Sequence, residues 1–186
     1  MLELTDFTPV RSNQELLQRF DLSLSAGQII SILGTSGKGK TSIFEAIKGK
    51  CKHTGQIKIQ GDYFSVVQKT EQLFPWFTIR KNLKLVTKNE EEFLQIAKDW
   101  NLLELIERYP TEVSGGQLQR FTLMRALVSG RPILLCDEAL SSLDSMTSEA
   151  IANDFRDIVK RKNLCCLWIT HNKNESSIVS DRVILL

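Results

Sequence analysis

Short runs rich in valine, isoleucine and leucine alternate along the chain with stretches whose apolar residues recur at helical spacing. The runs fall at Leu22–Leu24, Gln28–Leu33, Gln56–Gln60, Tyr63–Gln68, Pro132–Asp137, Leu164–Thr170 and Arg182–Leu186. Several are continuously apolar, as strands buried on both faces must be, so the pattern predicts an α/β fold built on a parallel sheet. From Glu90 to Glu107, Phe93, Ile96, Ala97, Trp100 and Leu103 share one helical face, and no strand flanks them. Together with Ile79–Val86 they predict a helical insertion at about residues 69–113, interrupting a core made of residues 1–68 and 114–186. A further helix over Met146–Arg161 is expected to bury Ile151, Phe155 and Ile158.

A length of 186 residues and 42% hydrophobic content suit one domain with a sizeable core. The 24 Lys and Arg against 22 Asp and Glu leave no basic footprint, so nucleic acid is not an expected partner. Cys51, Cys136, Cys165 and Cys166 form no CxxC pair and no metal spacing with His53 or His171, and no secretory segment precedes them. They read as reduced thiols of a cytosolic protein, most of them serving as small buried hydrophobes. No apolar run reaches the roughly 18–20 residues of a membrane-spanning helix, so a membrane role has to come through a partner.

The chemistry begins at Gly34-Thr35-Ser36-Gly37-Lys38-Gly39-Lys40-Thr41, a GxxxxGK[ST] phosphate loop directly after the strand Ile29–Leu33. Its glycines let the backbone wrap close to phosphates, so that successive N–H groups form an anion nest ahead of a helix starting near Lys40. Lys40 is expected on the β- and γ-phosphates and Thr41 on Mg²⁺, with Ser42 beside them on the first turn.

Ile133–Cys136 is a hydrophobic strand delivering two adjacent carboxylates at its end. Asp137 is placed to hold Mg²⁺ through water and Glu138 to orient and deprotonate the attacking water. Without a phosphate loop, such a pair would read equally well as a helix cap. In Val113-Ser114-Gly115-Gly116-Gln117, Ser114 can cap a helix whose free N–H groups make a second anion site.

This last segment resembles the LSGGQ signature of ATP-binding cassette (ABC) ATPases, with Val113 in place of leucine. Other positions match that family's order. Gln68 resembles the Q-loop glutamine that contacts metal and water; Ser141-Ser142-Leu143-Asp144 resembles the D-loop; His171 resembles the switch histidine on the γ-phosphate; Ser180–Leu185 resembles the strand that follows it. The resemblance implies a P-loop NTPase (RecA-like) core with a mainly parallel sheet, an N-terminal antiparallel β element and a small α-helical insertion. It also implies a homodimer, or a heterodimer with a related ATPase, in which Ser114, Gly115, Gly116 and Gln117 of one copy cover the phosphate held by the other. The catalytic set would then be Lys40, Gln68, Glu138 and His171, and the metal set Thr41, Gln68 and Asp137. An aromatic residue usually stacks on adenine in this family; Phe7 is the candidate, with Val10 as the other position that could occupy the place. The chain stops at Leu186 without the family's usual C-terminal helices, as a minimal subunit or a truncated piece would.

Leu73-Phe74-Pro75-Trp76-Phe77-Thr78 resembles the corresponding segment of importer ATPases of the nitrate, sulfonate and taurine type. There it receives a permease helix, so Phe74, Trp76 and Phe77 are either docking anchors or core of the insertion. The implied function is the ATPase subunit of a nutrient importer with a separate permease and binding protein, peripheral on the inner face of the cell membrane. A non-importing lipid or lipoprotein extraction ATPase would share every ATP-site motif. A soluble ABC ATPase would be expected to carry coiled coils, a second cassette or a basic surface, which this chain lacks.

Overall fold

The computed structural model describes residues 1–35, 37–66 and 73–186. The chain opens with a β-rich segment: β1 (Leu2–Arg11), β2 (Gln14–Glu15), β3 (Phe20–Leu24) and β4 (Ile29–Leu33), then helix α1 (Lys40–Ile47) and strands β5 (Lys52–Ile59) and β6 (Tyr63–Val66). Helices α2 (Ile79–Lys84), α3 (Glu90–Asp99) and α4 (Gly115–Val128) come next. Strand β7 (Ile133–Asp137), α5 (Ser145–Arg161), β8 (Cys165–Thr170), α6 (Lys173–Val179) and β9 (Arg182–Leu185) complete it.

Two sheets result. A parallel sheet runs in the order β6-β7-β8-β4-β9, while β2, β3 and β5 all pair antiparallel with β1 in the other. Strands β4, β7 and β8 are buried along their whole length, which explains their unbroken apolar sequences. Their side chains divide with period two. Ile29, Leu134, Cys136, Cys166 and Trp168 join α3, α4 and α5 in one core; Ile30, Ile32, Leu135, Leu167 and Ile169 join α1 and the antiparallel sheet in the other.

Strand β1 was not among the runs expected from the sequence, and its burial pattern shows why. Leu2 and Leu4 face inward, which by strict alternation would send Phe7 outward. A bulge intervenes: the pairing with β5 shifts between Thr5 and Thr8, and Asp6 takes a φ of 47°. The extra residue returns Phe7 to the core side. Gly55 on β5, at φ 74°, faces the carbonyls of Thr5 and Asp6 so closely that no Cβ fits there.

Two helical expectations change. The stripe running to Glu107 is one helix only as far as Asp99, because Asn101 adopts a left-handed φ of 53° and a 3₁₀ turn, Leu103–Leu105, follows. Beyond the break Leu102 and Ile106 pack on the same core, whereas Leu103, expected on the buried stripe, is 41% exposed because the break turns it out of register. Helix α6, unexpected from the sequence, is started by Asn172, whose Oδ1 accepts from the N–H groups of Asn174 and Glu175. Met146–Arg161 folds as read, from one residue earlier, with Asp144 as its cap and Ile151, Phe155 and Ile158 buried. All four cysteines are free, and Cys136, Cys165 and Cys166 are buried. Among the described residues no helix is long and apolar enough to cross a membrane.

Candidate functional site

The phosphate loop leaves the end of β4 and turns into α1 through Gly37 and Gly39, at φ 84° and 82°, a backbone that side-chain-bearing residues rarely adopt. Gly39 caps α1 without a side-chain bond, so the first N–H groups of the helix remain available to an anion. Lys40 is buried, and its Nζ donates to the carbonyls of Gly34 (2.7 Å) and Thr35 (3.0 Å). These bonds hold the ammonium at the loop while the aliphatic stem packs below.

Across from the loop, β7 ends in Asp137, which is 6% exposed. Burial pushes its carboxyl above its usual value, opposed by a hydrogen bond from Thr41, and its Oδ1 has no hydrogen-bond partner among the described residues. A buried carboxylate oxygen without a donor, beside a threonine hydroxyl, suits a hard divalent cation.

Glu138 follows at φ 52°. Its N–H donates to Ile169 O (2.9 Å), and its carbonyl accepts from Gln119 Nε2 (2.9 Å) and Ser141 Oγ (2.9 Å). That framework maintains a backbone which otherwise costs on the order of 1 kcal/mol or more. It aims the carboxylate at His171, whose Nδ1 lies 2.6 Å from Glu138 Oε2. With Nδ1 donating to the carboxylate, Nε2 is left for a further partner. Three residues before the histidine, Trp168 Nε1 donates to buried Glu175 (2.6 Å), a carboxyl pushed up by burial.

Gly37, Gly39, Lys40, Thr41, Ser42, Asp137, Glu138 and His171 line one cavity of about 380 Å³, which Arg11 also borders. Tertiary structure thus brings these eight residues of the sequence-derived set to one place, while Gly34 and Thr35 meet it through their carbonyls on Lys40 Nζ. Ser36 and Gln68 lie outside the described residues.

The signature residues do not line this cavity. Ser114 and Gly115 are exposed, and among the described residues nothing lies within 4 Å of a Cβ built on Gly115. Ser114 closes a capping box: its Oγ accepts from Gln117 N–H (3.3 Å), while Gln117 Oε1 accepts from Ser114 N–H (2.8 Å). Gly116 packs closely, 2.9 Å from its ideal Cβ position to Leu143 of the D-loop segment.

Phe7 needs correction. It is 0% exposed, set edge-on to Phe20 at 5.6 Å, and has no face to offer a base. Val10, the other position considered, lines a neighbouring cavity with Arg11. Gln119 and Asn82 were missed. Gln119 joins the Glu138 carbonyl to the Ser142 N–H (3.1 Å) and hydroxyl, while wholly buried Asn82 accepts from Phe74 N–H (2.7 Å) and donates to the carbonyls of Phe74, Phe77 and Thr78 (3.1 Å each). Neither belongs to a pattern readable without the fold. Asn82 fixes a loop in which Leu73 points inward, whereas Phe74 and Trp76 are 39% and 65% exposed. Lys81 Nζ sits 3.9 Å from the centre of the Phe77 ring.

A phosphate loop closing on the acidic end of a buried strand two places along the same parallel sheet defines a P-loop nucleotide-binding domain. The ABC transporter family model matches residues 17–141, and the chain belongs to that family. It is 30% identical over 205 residues to the spermidine/putrescine import ATP-binding protein PotA of Mannheimia succiniciproducens, covering 100% of this chain and 55% of the relative. It is 31% identical over 182 residues to the aliphatic sulfonates import ATP-binding protein SsuB of Corynebacterium glutamicum, covering 93% of this chain and 74% of that protein. The chain spans little more than half the length of several curated relatives it matches, the shares being 55%, 58% and 55%. Among solved structures, an ABC transporter ATP-binding protein from Pyrococcus furiosus superposes with a TM-score of 0.85 at 19% identity, over 100% of this chain and 96% of that one.

Proposed function

We propose that this chain binds and hydrolyses ATP as one half of a dimer, and that closure of the dimer drives a nutrient importer's membrane permease. The observation that carries the reading is the separation of two phosphate-binding ends. The loop before α1 shares a cavity with the catalytic acids, while the Ser114-capped end of α4 is solvent-exposed and outside it. In a dimer each exposed helix end covers the other copy's nucleotide, which gives a use to both.

Asp137 and Thr41 would hold Mg²⁺, with Gln68 as a further ligand; the ion supplies charge neutralisation at the phosphates. Lys40 and the loop amides hold the β- and γ-phosphates, and the partner copy's α4 end adds N–H donors on the far side. Glu138 accepts a proton from water as its oxygen bonds to the γ-phosphorus and the bond to the β–γ bridging oxygen breaks, yielding ADP and phosphate. His171 contacts the γ-phosphate through Nε2 while Nδ1 orients Glu138.

Phe74, Trp76 and Phe77 form the permease-docking patch, with insertion residues 69–113 relaying the ATP state to it. Phe74 and Trp76 are exposed and Phe77 half-buried beside them on a pinned loop, and aromatic rings are the residue class that dominates interface energy. Such a subunit sits peripherally on the inner face of the membrane, served by a separate binding protein. The test is recovery of the tagged chain from its native membrane. A polytopic membrane protein should co-purify, and Phe74→Asp/Trp76→Asp should lose it. Ribosomal or DNA-repair partners instead would overturn the proposal.

A further inference from the structure

Helix α4 carries the exposed Ser114 end, and the same helix is seated on the segment that follows β7 and holds Glu138. Gly116 and Gln119 lie three residues apart, so they share one face of the helix. The ideal Cβ position of Gly116 is 2.9 Å from Leu143, and Gln119, 3% exposed, reaches Glu138 and Ser142. Gln119 does not line the catalytic cavity, so it acts on the reaction only through the residues it touches.

The amide fits in one orientation. A carbonyl accepts and an N–H donates, so Nε2 faces Glu138 O (2.9 Å) while Oε1 takes the Ser142 N–H (3.1 Å) and hydroxyl. Reversal would set oxygen against oxygen. The other donors to the Glu138 carbonyl, Ser141 N–H (3.2 Å) and Ser141 Oγ (2.9 Å), belong to the same turn and would travel with it. Among the described residues, Gln119 is thus the tie from this carbonyl to a separate element. A left-handed backbone at a side-chain-bearing residue, here φ 52°, persists only while its surroundings enforce it.

We infer that Gln119 is a positioning residue for hydrolysis: it ties the Glu138 backbone to α4, so that the base keeps its place only while that helix is seated beside it. This rests on the ATPase reading above, with Glu138 as its base. In that reading α4 also presents Ser114 to the partner copy. One side chain then joins the surface that meets the second copy to the acid that acts on water. Lys40 is held by Gly34 and Thr35, with no bond to Gln119, so ATP binding does not depend on it. A base displaced by about 1 Å, in contrast, loses about 10²-fold in rate.

The test is phosphate release and Mg-ATP calorimetry of the full chain carrying Gln119→Met, which keeps the volume and drops the bonds, in wild-type and Glu138→Gln backgrounds. With Glu138 present, kcat should fall about 10- to 100-fold, while the ATP dissociation constant stays within about threefold. In Glu138→Gln the base is already gone, so adding Gln119→Met should change the residual rate by less than about threefold. Gln119→Glu keeps an acceptor for Ser142 but sets a carboxylate oxygen against the Glu138 carbonyl. It should lose at least as much, and it takes the place of Gln119→Met should that variant fail to fold. Turnover within about threefold of wild type, an equal loss in both backgrounds, or a loss carried by ATP affinity would each overturn the inference. A wild-type chain that hydrolyses no ATP would instead remove the ATPase reading, and the inference with it.

Discussion

Replacing Glu138 by Gln removes one acid–base group and little else. The left-handed backbone at this position is maintained by main-chain and neighbour bonds, from its N–H to Ile169 and into its carbonyl from Gln119 and Ser141, and a glutamine inherits all of them. The His171 contact at 2.6 Å becomes a neutral hydrogen bond. Because the histidine side chain is 55% exposed, that change should alter folding stability by less than about 1 kcal/mol. Catalysis is another matter. Losing the group that accepts the proton from water should slow turnover by about 10²- to 10⁴-fold, or about 2.7–5.4 kcal/mol of transition-state stabilisation. With Mg-ATP bound but not cleaved, the variant should accumulate as a dimer. Phosphate release measures the rate, and light scattering measures the dimer. A Glu138→Gln protein that still turned over within tenfold of wild type, with an unchanged melting temperature, would refute the assignment of the base.

Ser114→Ala removes the cap of α4 and should cost about 1 kcal/mol, lowering the melting temperature by roughly 2–4 °C; in the Glu138→Gln background it should also weaken ATP-dependent dimerisation, read by scattering. Asn82→Ala leaves the buried N–H and carbonyls of the aromatic loop without their partner and should cost about 2–4 kcal/mol in urea unfolding. It should also reduce permease recovery more than an exposed substitution such as Lys88→Ala. Asp181 accepts from Ile29 N–H (3.0 Å) and Lys160 Nζ (2.6 Å); burial raises its carboxyl pKa, but these bonds outweigh burial and hold it below the usual value. Its contribution is therefore complete above the unfolded aspartate pKa of about 4 and fades as pH falls through the lower folded value. Asp181→Asn should destabilise by about 1–2 kcal/mol at pH 7, and the gap to wild type should close on acidification below about pH 4.

Much of the chemistry was legible in the sequence because it is set by contiguous backbone. The glycines before Lys40 dictate a phosphate-binding turn, Ile133–Asp137 dictates a buried strand ending in acid, and Ser114 dictates a capped helix start. Each involves only neighbours along the chain, and their residue types carry the information.

Tertiary structure decided the rest. Whether Phe7 faced a ligand or the core turned on a single extra residue at Thr5–Asp6, and that bulge exists because β5 brings Gly55 opposite it. Gln119 and Asn82 became meaningful only once the fold set Glu138 and the aromatic loop beside them. Arg11 reached the edge of the phosphate cavity because pairing with two strands fixed the hairpin there. Short-range geometry can be read from residue order; the face a side chain turns toward depends on partners dozens of positions away, and only folding brings those into contact.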